Sequence, residues 1–310
     1  MVDIGFEIEE VDYLGDKISN IVVGQVVSVE QHPNADRLNC CKVDIGGEVI
    51  PIVTNDRNVK EGDKVPVALD DSHTANGMHI KKGKMRGEES FGMFCGGEEL
   101  GITADMYPDA DKEGVLVLQP SAKVGADIRT EVGLDDYVLD FNITSNRQDC
   151  NSIYGLAREV AVALGKQCRP LETDFDATSN TETDSLVQVD VRNTDLCQGY
   201  LMQGVTDVRI APSPLWMTSR LAKVGLRGIN NLVDITNYVL IEVGQPMHAF
   251  DYREINDKKI VVRCANEGEK LVVLDGKEYT LRSGDLVIAD NCRAVGLAGV
   301  MGGLDSGIKE

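Results

Sequence analysis

From Asn20 to about Asp127, apolar and polar positions alternate in short, closely spaced runs. The runs predict strands at Ile21–Val29, Cys40–Ile45, Val49–Val53, Lys64–Leu69, Gly92–Cys95 and Val115–Leu118. Turn residues separate them at Gly46-Gly47, Asn55-Asp56, Glu61-Gly62-Asp63 and Asn76-Gly77. Regularly spaced short strands suggest a small barrel or sandwich. A five-stranded Greek-key barrel of the OB type fits a segment of about 100 residues. The acidic residues 1–20 are too few for a domain. Gly5, Phe6, Ile8, Val11 and Tyr13 predict one edge strand, to be completed elsewhere.

The period then changes. Tyr137–Ile143 alternates like a strand, whereas Ile153, Leu156, Val160 and Leu164 fall on one helical face. Asp149 or Asn151 is the expected cap and Gly165 the stop. Residues 171–184 are polar and acidic and read as a linker. A new unit starts near Ser185, with Leu186–Val191 alternating as a strand and Gly199–Val205 as its expected partner. Ser213-Pro214 predicts a helix start, with Ser as N-cap and Pro at the first helical position. Met217, Leu221 and Val224 make its face, Gly225 stops it, and Arg227 follows. Strands are expected at Lys259–Cys264, Leu271–Leu274, Tyr279–Leu281 and Leu286–Ala289. Glycines interleaved with apolar residues over Ala294–Gly303 let backbone approach closely. The polar tail Leu304–Glu310 supplies no further element, which predicts an open sheet edge near Gly296–Gly303.

The stretch Asn231–Asp251 departs from both patterns. Its apolar run carries Asp234, Thr236 and Asn237, then turns at Gly244-Gln245-Pro246 into Met247-His248-Ala249-Phe250-Asp251. An unpaired polar group in a core costs about 1–3 kcal/mol. The segment is therefore a polar-networked core element or the wall of a site. A His beside apolar residues is most simply a packed core His, and Asp234 and Asn237, three apart, could pair locally. Placement directly after a turn is also where a scaffold presents a working side chain.

Composition narrows the chemistry. The chain has 310 residues, enough for two or three domains, and a net charge of -20. No run approaches the ~18 apolar residues of a membrane span, and the acidic N-terminus is not a secretory signal. The eight Cys form no CxxC pair and the four His show no ligand spacing, so no metal site is expected. Reduced thiols in a cytoplasmic protein are the expectation. A polyanion would be repelled by the mean field and would need a local basic patch. The dense basic cluster is Lys81, Lys82, Lys84 and Arg86, offset in part by Glu88 and Glu89. It is either a solvated turn or a nucleic-acid contact. The loop His32-Pro33-Asn34-Ala35-Asp36-Arg37-Leu38 adds Asn34 and Arg37.

These residues carry a resemblance. QHPNADRL at Gln31–Leu38, KMRGEESFGMFC at Lys84–Cys95, TSNRQDC at Thr144–Cys150, YGLAREVA at Tyr154–Ala161, PLWM at Pro214–Met217 and Val233–Asp251 occur together and in order. The whole chain resembles the N-terminal part of bacterial phenylalanyl-tRNA synthetase beta subunits. The resemblance implies an α+β multidomain fold. Residues 1–20 with 126–184 would form a small split α+β domain and linker, interrupted by an OB-fold tRNA-binding domain over 21–125. Residues 185–310 would be a B3/B4-type editing domain, C-terminally incomplete. In the family that site hydrolyses tyrosine wrongly attached to the phenylalanine tRNA. His248 matches the editing histidine, Arg227 a pocket arginine and Gly302 a glycine that keeps the pocket open. Asp234 and Asn237 would line the same pocket.

The implied partners are an alpha subunit, in an alpha2beta2 assembly, and tRNA(Phe). Family chains start earlier and continue past Glu310, where further editing residues are expected. ATP and Mg2+ belong to the heterotetramer, and no cofactor is expected on these residues. The alternative is a non-catalytic tRNA-binding or scaffold module on which the alpha subunit docks. The chemical problem is independent of the family. A pocket for phenylalanine cannot strongly exclude an isostere with one added hydroxyl, so a second, hydrolytic site is needed. His248 could position or deprotonate the water.

Overall fold

A computed structural model describes residues 5–308. Met1–Ile4 of the acidic opening segment, and Lys309 and Glu310 of the tail, lie outside the described residues. The chain forms two compact units: Met1–Asn151 with Ser213–Ile229, and Ser152–Pro212 with Asn230–Glu310.

The first unit contains strands β1 (Glu7–Tyr13), β2 (Ser19–Gln31), β3 (Asn39–Asp44), β4 (Val49–Thr54), β5 (Lys64–His73), β6 (His79–Ile80), β7 (Gly83–Met85), β8 (Glu88–Ser90), β9 (Met93–Phe94) and β10 (Tyr137–Asn142). The edge strand expected near the N-terminus is β1, and its antiparallel partner is β10. The main sheet runs β4-β3-β2-β5-β6, with β9 also paired to β5. Strand β2 is buried on both faces. Ile21 and Val23 enter one core with Leu100, Leu116 and Ile128, while Val22 and Val26 enter another with Val43, Ile52 and Val67. Gly24 lies on the second face. A Cβ there would come within 2.6 Å of Val67 and 2.7 Å of Val43, so only glycine lets these two side chains meet over β2.

Residues 90–94 bond to both β4 and β5. Phe91 N–H donates to Pro51 of β4, Val53 N–H donates to Ser90 Oγ, and Met93 and Phe94 pair with Ala68 and Val67 of β5. The expected strand Val115–Leu118 does not form. Its alternation is real, with Leu116 and Leu118 buried and Val117 exposed. The backbone partners, however, are scattered. Leu116 N–H donates to Cys95, Leu118 N–H to Lys64, and the Asn58 side-chain amide both donates to and accepts from Val115. A side chain has replaced a strand neighbour.

The helix expected after Ser213 is Leu215–Lys223, with Pro214 in the cap position rather than inside. The Pro214 carbonyl accepts from Met217 and Thr218, and its extended ψ of 144° excludes it from the first turn. Met217 and Leu221 are buried as expected, but Val224 is exposed.

The second unit begins with helix Ile153–Ala163. Its cap is Ser152, which accepts from Gly155 N–H, and not Asp149 or Asn151. Asp149 is engaged by the Arg147 guanidinium instead. Residues 166–182 carry neither helix nor strand. Strands β11 (Gln188–Val191), β12 (Lys259–Cys264), β15 (Leu286–Ala289), β16 (Ala294–Leu297) and β17 (Met301–Gly302) form one sheet in that order. Strands β13 (Lys270–Val272) and β14 (Glu278–Thr280) form a separate hairpin. The expected pairing of β11 with Gly199–Val205 is absent. β11 lies parallel to β12, and Leu201 is almost fully exposed. The segment is held instead through Thr183 Oγ1, which bonds the Gly204 amide and the Gln203 side chain.

The tail also differs from expectation. Leu304–Ser306 is a short 3-10 turn, and the buried Ser306 hydroxyl donates to Val295 and Gly303 carbonyls. The expected open edge is partly covered, because Leu274 N–H donates to Gly302 and Gly303 N–H to Val295.

Candidate functional site

The stretch around His248 is built from a helix, a stop and a return. Helix Asn231–Val243 starts at Asn230, whose Oδ1 accepts from Leu232 and Val233 N–H at 3.1 Å each. Asn231 pins the incoming chain. Its side chain accepts from Ala211 N–H and donates to the Arg209 carbonyl. Asp234 is buried, Asn237 is half-buried, and the Thr236 hydroxyl bonds back to Val233. The Asp234 and Thr236 side chains are thus taken up by the fold rather than displayed. Gly244 ends the helix at φ +78°, a left-handed conformation that glycine adopts without strain.

Gln245-Pro246-Met247 then carry the chain to His248. Phe250 bridges to Gly307, and Asp251 N–H donates to Ser306. The tail therefore closes over the segment carrying His248. The Asp251 carboxylate takes a two-pronged contact from Arg253, which fixes the end of the segment.

The His248 ring stands edge-on to Phe250, with centroids 4.5 Å apart and planes at 74°. Its other neighbour is Gly302. A Cβ at that position would collide with Cε1 of His248 and sit 2.9 Å from both ring nitrogens. Gly303 is needed for a different reason. A Cβ there would lie 2.5 Å from the Val295 carbonyl oxygen, against which the backbone is hydrogen-bonded. His248 keeps solvent-accessible surface, yet the packing around its ring pushes the pKa below the ordinary value of 6.5 by desolvation. Desolvation thus favours the neutral imidazole, and no protein hydrogen bond to the ring occurs among the described residues. A neutral ring with available nitrogens can accept a proton from, or orient, a water.

The structure thus brings His248 and Gly302 into contact. Asp234 and Asn237 lie on the helix leading to them. Arg227 falls in the first unit, where its exposed guanidinium lies 3.9 Å from Asp105.

The basic residues lie on two exposed loops of the first unit. Strands β7 and β8 form a hairpin whose turn, Arg86-Gly87, has φ of +50° and +102°. Two left-handed residues match the right-handed twist of a tight hairpin. Lys82 pairs with Asp70 at 3.7 Å and Lys84 with Glu89 at 4.0 Å, both exposed. Lys81 acts electrostatically on Asp71. Arg37 and Arg86 have no ion pair among the described residues, and both are exposed, as is Asn34.

One residue joins the loops, and the spacing of basic positions does not point to it. His32 is 3% exposed. Its Nδ1 accepts from Asn34 N–H at 3.0 Å, and its Nε2 lies 3.2 Å from the Met85 carbonyl. An N–H facing Nδ1 and a carbonyl facing Nε2 place the proton on Nε2. His32 N–H also donates to the Leu38 carbonyl and closes the 32–38 loop. The available signal was a histidine opening a Pro-Asn turn, where a ring nitrogen can serve as the local acceptor.

Comparison with known proteins accounts for both regions. Residues 21–127 match the tRNA binding domain family, and residues 196–310 match the B3/4 domain family. The chain is 45% identical over 310 residues to the phenylalanine-tRNA ligase beta subunit of Clostridium acetobutylicum, covering 99% of this chain and 38% of that one. The Bacillus subtilis subunit of the same name is 42% identical over 307 residues, covering 99% and 38%. That of Syntrophus aciditrophicus is 44% identical over 307 residues, covering 98% and 37%. The chain spans less than two fifths of the length of these relatives. Among the described residues no helix is long and apolar enough to cross a membrane. With both domain families present in order, and with relatives above 40% identity along almost its entire length, this chain belongs to the phenylalanine-tRNA ligase beta subunit family.

Proposed function

We propose that this chain supplies tRNA capture and hydrolytic editing to a cytoplasmic phenylalanine-tRNA ligase. Its second unit would cleave the ester of tyrosine mistakenly joined to tRNA(Phe). The observation that carries this reading is the His248 ring, which has no protein hydrogen bond among the described residues, is biased toward its neutral form by desolvation and is seated where Gly302 lacks a side chain. A water held at a ring nitrogen would attack the ester carbonyl as the imidazole takes its proton, and the acyl C–O bond would then break as that proton passes to the departing ribose oxygen of the tRNA. Within the second unit, Asn237 and the buried Asp234 are the other residues this reading assigns to the pocket, while Arg227, carried by the first unit, is assigned to tRNA contact.

The six-strand sheet of the first unit, with residues 90–94 bonded to both β4 and β5, supports an OB-type barrel. The β1–β10 ribbon supports a small domain interrupted by that barrel. Lys81, Lys82, Lys84, Arg86, Asn34 and Arg37 would meet the tRNA backbone. Aminoacylation, with its ATP and Mg2+, would belong to the assembly with an alpha subunit.

The test is release of tyrosine from Tyr-tRNA(Phe) by this chain beside its His248→Ala variant. Release that disappears in the variant supports the reading, and equal release by both refutes it. A scaffold role is favoured by one observation: Lys82 and Lys84 are already paired with Asp70 and Glu89 in a chain of net charge -20. Alpha-subunit binding without tRNA affinity would establish that role.

A further inference from the structure

The two basic loops are far apart in sequence, and the sheet alone does not set their relative position. The β7–β8 hairpin is a two-stranded ribbon with its own pairing, separate from the main sheet. A two-stranded ribbon is marginally stable alone. This one is tied to the main sheet at its base, where Ser90 Oγ accepts from Val53 N–H of β4 and Lys82 N–H donates to the Asp70 carboxylate, which leaves its tip to be held elsewhere. Its carbonyl at Met85 lies one residue before Arg86 and one after Lys84. That carbonyl receives the Nε2–H of His32, the buried ring that opens the other loop. The same ring, through Nδ1, shapes the turn leading to Arg37.

We infer that His32 is a positioning residue that locks the 32–38 loop and the 83–90 hairpin into one RNA-backbone contact surface. Arg37 and Asn34 on one side, and Lys84 and Arg86 on the other, then bind phosphates in a preset spacing. Preorganisation of this kind raises affinity by removing an ordering cost at the moment of binding. The inference rests on the proposed RNA-binding reading of the first unit.

The two hydrogen bonds of the ring can be separated by substitution. In His32→Asn the side-chain oxygen can still accept from Asn34 N–H in an Asx turn, but the side chain is too short to reach Met85. In His32→Gln the amide nitrogen can reach the Met85 carbonyl while the local turn bond is lost. Binding of the full chain to a tRNA(Phe) transcript is measured across a salt series, with thermal unfolding of each variant as the control.

The expected result is that His32→Asn unfolds like the wild type yet binds RNA about ten-fold more weakly. Its salt dependence should be shallower by about one or two phosphate contacts. His32→Gln should recover affinity to within about two-fold. Hydrogen exchange in the hairpin amides, measured without RNA, should be faster in His32→Asn alone. Wild-type affinity and salt slope in His32→Asn would overturn the latch while leaving the RNA-binding reading intact. An absence of RNA affinity in the wild type would overturn both.

Discussion

Glu269→Gln tests how the sheet beneath His248 is held in place. Glu269 receives two bonds from the Arg263 guanidinium, at 2.7 and 2.8 Å, and accepts from the backbone N–H of Asn266 and Ala294. Both side chains are less than one fifth exposed, so solvent screens the pair little. Ala294 opens β16, which pairs with β17 and thereby fixes Gly302. The Arg263 bonds are the largest cause, and the backbone donors add to them, in holding the Glu269 carboxyl at about 2 instead of 4.5.

At about 1.4 kcal/mol per tenfold in proton affinity, that gap is about 3 kcal/mol of stability. The folded pKa is depressed. The contribution is therefore complete above pH 4.5 and is lost as pH falls from there toward 2. Glu269→Gln keeps the shape, removes the charge and strands a half-buried guanidinium, which costs about 3 kcal/mol at pH 7. For a unit of this size the melting temperature should fall by about 6–12 °C.

The assay is urea unfolding followed by far-UV circular dichroism at several pH values from 7 to 3, together with hydrogen exchange of the β16 amides. The sole tryptophan, Trp216, lies in the first unit and does not report on this sheet. Unfolding curves that coincide for wild type and variant over the whole pH range would refute the reasoning. Replacing both partners by apolar residues of similar volume should restore most of the loss at pH 7.

Gly302→Ala should displace the His248 ring, because the new methyl occupies the space of Cε1. We expect a destabilisation of about 1–3 kcal/mol, a changed imidazole signal by NMR and lost hydrolysis; an unshifted His248 resonance would contradict this. The depressed pKa of His248 predicts that hydrolysis persists from pH 7 downward and falls only below the ordinary value of 6.5. Over the same window the unfolded chain takes up the proton first, so stability also declines as pH drops from 6.5 to the folded pKa. A rate profile with its acid limb above 6.5 would count against His248 as the base. Arg37→Glu with Arg86→Glu, at positions without ion pairs among the described residues, should lower tRNA affinity and flatten its salt dependence by about two to four phosphate contacts. An unchanged slope by filter binding would place the RNA elsewhere.

Local pattern was enough for the elements whose causes are local. The Ile153–Leu164 period is a helix ending before Gly165, and the Met217–Leu221 face belongs to the helix expected after Ser213. The alternating run at Ile21–Val29 is a strand. The motifs also directed attention to His248, Gly302 and the basic loops. Only the tertiary structure decided which distant partner each segment took.

Val115–Leu118 alternates like a strand but is bonded by Asn58, Cys95 and Lys64, so no ladder forms. Gly199–Val205 has strand composition, yet β11 pairs with Lys259–Cys264 instead. The glycine that makes room for the His248 ring and the histidine that joins two loops act across long sequence separations. Periodicity records which face of an element is buried. It carries no record of which other segment the chain's path brings against that face, and that choice made the candidate sites.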